Sequence, residues 1–354
     1  MNLNIERDLW QYLADTKKKI VMYGMGNGAD KILRVCDQHG IEVCDFFASD
    51  GFVRGHTFHG KTVLTYSAAK EKYGAENMIV LLSFASSLPN VIENILRIAS
   101  ECELYAPDVP VFGDTLFDIE FFRSHEGEID KVFSLLEDEE SREIYQNVIK
   151  YKLSGDVSFL EKRISDKCEV YKELLEAKNI HRYADLGAYN GDTVRELAKY
   201  AESLEFAFAL EPDGRNFKKL SLYAETERFK VLPINAAAWY KKDMLTFAAG
   251  GNRNSNVTSG GKTIDVEAVA LDDVICSEVD YIKYDVEGSE KEAILGSKKT
   301  IERCSPKLLV SLYHRSEDVF ALPLLIKENF SQYRFYLRRY RYIPAWDLNL
   351  ICVR

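Results

Sequence analysis

One local pattern, used twice, constrains this chain more than anything else: an apolar strand, a glycine-rich turn, then a helix. It occurs at residues 18–40 and again at residues 182–200. Strands that alternate with helices imply a parallel sheet covered on its faces. A chain of 354 residues exceeds one ordinary core, so each occurrence is expected to open its own sheet.

In the first half, further apolar strands are read at 41–50 and 78–84, with a helix rich in Ile and Leu at 88–100. Residues 1–113 are therefore expected to form a small Rossmann-like domain. Residues 114–180 change character to helical spacing with many charges, and are read as a helical connector. Its Leu135, Leu136, Ile144, Val148 and Ile149 are expected to pack on a neighbour, and its acidic run 137–140 to be a solvated face.

Residues 181–354 form the second series. Strands are expected at 183–188, 206–213, 229–239, 279–288 and 307–314, with helices at 192–200, 216–224, 289–303 and 318–328. The glycine- and asparagine-rich stretch within 245–270 reads as a hairpin or flap in place of a helix. Two closing β-rich segments, 332–339 and 348–353, complete the strand order of a class I methyltransferase sheet.

Charge and composition exclude several classes. A formal net charge of −10 argues against nucleic acid, which needs a basic footprint. The run Arg338, Arg339 and Arg341 reads as a solvated strand edge, or else as a contact for an anionic substrate or lipid. The seven cysteines are scattered without a Cys-x-x-Cys pair, which suits a reducing compartment and speaks against a zinc cluster. His56 and His59 read as an exposed turn, so no dedicated metal ligands are assigned. No apolar run reaches the length of a transmembrane helix, and the cytoplasm is the expected location.

Three segments carry candidate chemistry. In Asp185-Leu-Gly-Ala-Tyr-Asn-Gly-Asp-Thr-Val194, Gly187 and Gly191 permit a sharp turn and a close ligand approach, while the Asp185 carboxylate suits an ammonium group. The same turn could instead be structural packing. Leu210-Glu-Pro-Asp213 ends the next strand with an acid placed to accept ribose hydroxyls. Glu211 is the candidate there, and Asp213 the helix cap. In the strand beginning Val279-Asp-Tyr-Ile-Lys283, period two puts Lys283, Asp285 and Glu287 on one side at the strand mouth. The alternative there is an ion pair plus a helix cap around Ser289 and Glu290. His314 stands at the mouth of the next strand, and Trp239 reads as core.

These blocks, with Pro306-Lys-Leu-Leu-Val-Ser-Leu-Tyr-His-Arg315, resemble successive blocks of the FkbM family of methyltransferases over roughly residues 182–330. The closing residues 333–340 and the connector at 135–156 also resemble members of that family. The resemblance implies a class I methyltransferase fold, S-adenosylmethionine as donor, and a hydroxyl acceptor on a sugar, glycan or secondary metabolite, as in polysaccharide biosynthesis. It implies a donor site formed by Asp185, Gly187, Ala188, Gly191, Glu211, Pro212, Asn235, Ala236 and Asp285. Asp285, Lys283, Glu287 and His314 are implied as the catalytic group. Asp285 is the expected base, His314 its rival, Lys283 the group that keeps Asp285 ionised, and Glu287 the group that orients the acceptor. A divalent metal held by these carboxylates is the alternative. Tyr189 departs from the family pattern by standing where a middle glycine is common. Ser255 and Asn256, in the flap, are further candidates for contact with donor or acceptor.

The first turn, Gly24-Met-Gly-Asn-Gly-Ala29, followed by Asp50, fits a dinucleotide fingerprint. An NAD-dependent oxidoreductase or epimerase, or a non-catalytic protein binding a nucleotide sugar at Gly24 to Ala29, is therefore the competing expectation. No hydride-transfer motif follows the turn. Association of copies into a homo-oligomer is left open.

Overall fold

The computed structural model describes residues 3, 5–49, 55–248 and 263–354. Asp50, Ser255 and Asn256 lie outside the described residues. Among those described, no helix is long and apolar enough to cross a membrane.

The first sheet contains β1 (Lys19–Tyr23), β2 (Val43–Ala48), β5 (Leu64–Thr65), β6 (Met78–Leu82) and β7 (Glu103–Tyr105); β3 (Thr57–Phe58) and β4 (Lys61–Thr62) pair separately. Its order is β5-β2-β1-β6-β7, parallel throughout. β1 and β6 are continuous apolar runs because both of their faces are covered. The helix Asn27–Gln38 buries Ala29, Ile32 and Cys36, spaced as one helical face.

The second sheet has seven strands in the order β10-β9-β8-β14-β15-β17-β16. These are β8 (Arg182–Leu186), β9 (Phe206–Leu210), β10 (Lys230–Ile234), β14 (Tyr281–Tyr284), β15 (Lys307–Ser311), β16 (Arg334–Arg339) and β17 (Leu348–Val353). β17 runs antiparallel between β15 and β16, and the rest of the ladder is parallel. The chain leaves β8 in one direction to β9 and returns on its other side as β14, so the strand order reverses between β8 and β14. Open α/β sheets bind ligands at such a point. The fold is thus α/β, a seven-stranded sheet with a reversal of strand order preceded by a smaller, five-stranded parallel sheet. The flap is an antiparallel hairpin, β12 (Asp243–Ala248) with β13 (Thr263–Val269), and β11 (Ala237–Ala238) pairs with β13 in parallel.

The connector helix Glu139–Ser154 is capped by Asp138, which accepts from Ser141 N at 2.8 Å, and it ends at Gly155 in the left-handed region. It covers the edge of β16, where Ser141 Oγ accepts from Leu337 N at 2.8 Å. Edge coverage of this kind removes a free row of hydrogen-bonding groups. The predicted solvated edge is corrected here. Arg338 is buried and its guanidinium meets Asp138 at 2.6 Å, while Arg339 is buried against backbone carbonyls, including Tyr340 O at 3.2 Å. Asp138 and Glu140 are likewise engaged rather than solvated, since Glu140 accepts from Ser165 Oγ at 2.7 Å.

The predicted helix 289–303 is two helices, Glu290–Leu295 and Lys298–Cys304. The break at Gly296 lies against Trp239, whose carbonyl leaves no room for a Cβ, and Asp272 caps the second helix through Lys299 N and Thr300 N. One continuous hydrophobic core runs from Val21 and Val80 through Ile144 and Val148 to Leu186 and Ile282. The two sheets and the connector are thus packed together, and a buried ion pair, Lys152 to Asp108 at 2.7 Å, ties the connector to the end of the first sheet.

Candidate active site

A cavity opens at the carboxyl ends of β8, β9, β14 and β15, where the order of the second sheet reverses. Gly187 and Gly191 both have positive φ, +88° and +83°. A Cβ on Gly187 would sit 1.9 Å from the Asp285 carbonyl, and one on Gly191 would meet the Tyr223 ring at 2.3 Å. Both glycines are therefore required by packing at the switch point. Tyr189 adopts φ +49°, so a side-chain-bearing residue takes the left-handed conformation in this turn. Ala188 is buried and donates its amide to Leu210 O at 2.9 Å.

Glu211 reaches the cavity from the end of β9. One carboxylate oxygen accepts from Tyr189 N at 2.8 Å, the other from Asp213 N at 2.9 Å. Burial pushes its pKa up to about 7, against the amide bonds that favour the charge. Each oxygen keeps one lone pair for a ligand hydroxyl. Asp213 caps the helix Gly214–Ala224, accepting from Arg215 N and Asn216 N at 3.0 and 2.9 Å. Pro212 lines the cavity beside Glu211. Asn235 and Ala236 do not line it. The Asn235 amide bridges to the carbonyls of Glu211 and Pro212, and Ala237 and Ala238 form the apolar wall with Val266.

Asp185 is fully buried and does not reach the cavity surface. One of its oxygens accepts from Thr193 Oγ1, and the other lies 3.7 Å from Lys283 Nζ without a hydrogen bond. Burial raises its pKa, offset only in part by Lys283 and Thr193. Asp185 thus lies behind Lys283, one side chain back from the cavity.

Lys283, Asp285 and Glu287 all line the cavity, but β14 ends at Tyr284 and Val286 lines it as well, so strand alternation does not carry the arrangement beyond Lys283. Lys283 Nζ donates to Asp285 Oδ2 at 3.1 Å, and Tyr313 OH to Asp285 Oδ1 at 2.9 Å. Burial alone would raise the Asp285 pKa, but Lys283, His314 and the Tyr313 hydroxyl hold it well below the usual carboxylate range. A group with so little proton affinity suits charge stabilisation better than proton abstraction. Glu287 follows the end of β14 at φ +55°, a strained conformation that turns its partly exposed side chain over the cavity.

His314 is buried, with Nδ1 2.9 Å from Glu290 Oε1 and Nε2 3.7 Å from Asp285 Oδ1 and 3.6 Å from Glu287 Oε2. Burial would lower its pKa, but Glu290, Glu287 and Asp285 outweigh it and raise it to about 10. Asp318, buried nearby, accepts from Arg315 N at 2.7 Å; burial and Glu290 push its pKa up to about 7.

Several of these neighbours escape a sequence reading. Phe112 comes from the far end of the first sheet and lines the cavity, its amide donating to His314 O at 2.8 Å and its ring lying 4.5 Å from the Arg315 guanidinium. Thr193 and Tyr313 also line it, adjacent in sequence to residues already singled out. Glu290, read as a helix cap, instead accepts from Val286 N at 2.9 Å and faces His314.

The first glycine turn has its own cavity, lined in part by Met25, Asn27, Lys31, Phe84 and Trp346. There a Cβ on Gly28 would lie 2.1 Å from Ser83 O, and one on Gly24 2.6 Å from Ser83 Oγ.

Residues 185–344 match the family model described as the methyltransferase FkbM domain. No curated protein matches the sequence. Among solved structures, methyltransferase FkbM from Methylobacillus flagellatus KT is similar with a TM-score of 0.71 at 17% identity, covering 95% of this chain and 90% of that one. A putative rRNA methylase from Clostridium thermocellum overlays 53% of this chain and 96% of its own at 13% identity, TM-score 0.34. A putative methyltransferase from Streptococcus mutans, in complex with SAH, overlays 53% and 98% at 12% identity, TM-score 0.35. The domain match and the whole-chain fold together support an S-adenosylmethionine-dependent methyltransferase.

Proposed function

We propose that this protein transfers a methyl group from S-adenosylmethionine to a hydroxyl oxygen of a small-molecule or glycan acceptor. The observation that carries the reading is one cavity holding the Glu211 carboxylate at one end and Lys283, Asp285, Glu287 and Tyr313 at the other.

The donor set fits the nucleoside. Glu211 has lone pairs left for ribose hydroxyls, and Ala237, Ala238 and Val266 offer a flat apolar wall suited to a base. The turn from Gly187 to Gly191, with Ala188 inside it, shapes the floor, while Pro212 and Asn235 hold the Glu211 loop. Asp185 positions Lys283 and Thr193 rather than touching the ligand. When bound, S-adenosylmethionine supplies a methyl group on a positively charged sulfur.

The chain's own residues supply position, charge and proton transfer. A neutral hydroxyl is a poor nucleophile, so a base must take its proton as the new bond forms. Glu287 is assigned that role because its carboxylate lies over the cavity and is partly open to solvent. Lys283 and Tyr313 keep Asp285 charged beside it, a fixed negative charge facing the cationic donor. Holding both reactants in line supplies much of the rate.

The proposed division of labour follows the chain: residues 181–354 carry the methyltransferase site, residues 114–180 brace its edge strand, and residues 1–113 add an acceptor-side wall through Phe112. A hydroxyl-methylation screen over nucleotide sugars, glycans and small polyols, read by a mass gain of one methylene, tests the acceptor class. Methylation confined to nitrogen or carbon acceptors would overturn it.

A further inference from the structure

We propose that His314, Asp285 and Glu290 form a binding site for one divalent cation in the wall of this cavity. Among the described residues, these three are the group whose ligand atoms lie together, all within 4.8 Å of one another. Two of the three, His314 and Glu290, are 1% exposed.

His314 Nδ1 lies 2.9 Å from Glu290 Oε1, but the hydrogen bonding there is incomplete. Neither His314 ring nitrogen makes a hydrogen bond of good geometry, and Glu290 Oε2 has no partner. Buried polar groups without partners are costly and call for an explanation, an absent ion among them. The spacing of His314 Nε2 from Asp285 Oδ1, 3.7 Å, and from Glu287 Oε2, 3.6 Å, exceeds hydrogen-bond range. Two ligands of one cation with bonds of about 2.1 Å stand roughly 3.0–3.4 Å apart. A contraction of a few tenths of an ångström would bring His314 and Asp285 to that spacing around an ion.

Two carboxylates and one imidazole suit a first-row divalent ion such as Mn2+. Its catalytic meaning rests on the methyl-transfer reading, in which an ion at this wall would lower the proton affinity of an acceptor oxygen. Binding of the ion does not depend on that reading.

The test is a titration of the full-length, chelator-stripped protein with Mn2+ alone, in which the paramagnetic signal of free Mn2+ is followed. Calorimetry with S-adenosylmethionine runs on the same samples. One Mn2+ per chain is expected, with affinity falling at least tenfold in Glu290→Gln and in Asp285→Asn. The partly exposed Asp285 gives a variant that keeps the fold if the buried Glu290 exchange does not. Absence of Mn2+ binding to the wild type up to millimolar concentration overturns the site, and so does wild-type affinity in both variants. Donor binding without Mn2+ binding would overturn this site alone. Mn2+ binding without donor binding would uphold the site and remove the methyl-transfer reading.

Discussion

The two glycine turns of this chain solve one structural problem in the same way, yet among the described residues the ionisable side chains around them are arranged differently. Gly28 passes within 2.1 Å, by its missing Cβ, of the carbonyl of Ser83 at the end of β6, and Gly187 within 1.9 Å of the carbonyl of Asp285 beyond β14. In each sheet that neighbour is the strand on the far side of the switch point. The glycines are thus explained by packing in both halves and discriminate nothing. The difference lies in the side chains at the strand mouths. Beside the second turn stand Glu211, Lys283, Asp285, Glu287 and Tyr313; beside the first, among the described residues, Lys31 donates to the carbonyls of Pro110 and Val111 and Asp108 pairs with Lys152. A glycine fingerprint therefore marks a topology, and the ionisable groups around it mark a function.

The largest effect expected from breaking this contrast is on turnover. Glu287→Gln should lower the methyl-transfer rate by about 10²–10⁴-fold while donor affinity, measured by calorimetry, stays within a few-fold. Parallel losses in affinity and rate would mean that Glu287 holds the donor instead.

Next in size is donor affinity. Glu211→Gln should weaken S-adenosylmethionine binding by about 10- to 150-fold, the worth of a charged hydrogen bond to ribose. Because the folded pKa of Glu211 is pushed up to about 7 from an ordinary 4.5, the group is largely protonated just below neutrality. Donor affinity should therefore rise with pH through that window, with proton release seen in buffers of different ionisation enthalpy. The sign for folding is opposite: the native state binds the proton more tightly, so this group's contribution to stability is present below pH 4.5 and lost as pH rises to 7. Glu211→Gln should flatten both profiles, and a pH-independent affinity in the wild type would contradict the assignment.

Stability sharpens the shared half of the comparison. Gly187→Ala and Gly28→Ala should each destabilise the fold by roughly 1–3 kcal/mol, since in both cases a backbone carbonyl must move. Thermal melts of the two variants check it, and a neutral Gly28→Ala would refute the common packing role. The smallest effect is expected at Phe112→Ala, a few-fold rise in the acceptor KM with donor affinity unchanged, read from steady-state kinetics.

Much of this was legible in the residues. The alternating strands and helices, the hairpin in place of a helix and the Asp213 cap all follow from periodicity and capping rules. What escaped depends on neighbours distant in sequence. Phe112 enters the cavity from another sheet, and Arg338 and Arg339 look like a solvated edge until the connector helix is laid over them. Asp185 occupies the expected place in the turn, but Lys283, a whole strand away, screens it. The charge on Asp285 is held by two donors, Lys283 and Tyr313, and by the nearby His314, and Glu290 looks like a helix cap until His314 is found against it.

The claim that the second turn and not the first serves a nucleoside is tested most directly by calorimetric titration of the full-length protein with S-adenosylmethionine and, separately, with NAD. One S-adenosylmethionine per chain, weakened in Glu211→Gln, with no heat from NAD, is the predicted result. NAD binding in the absence of any S-adenosylmethionine binding would contradict it.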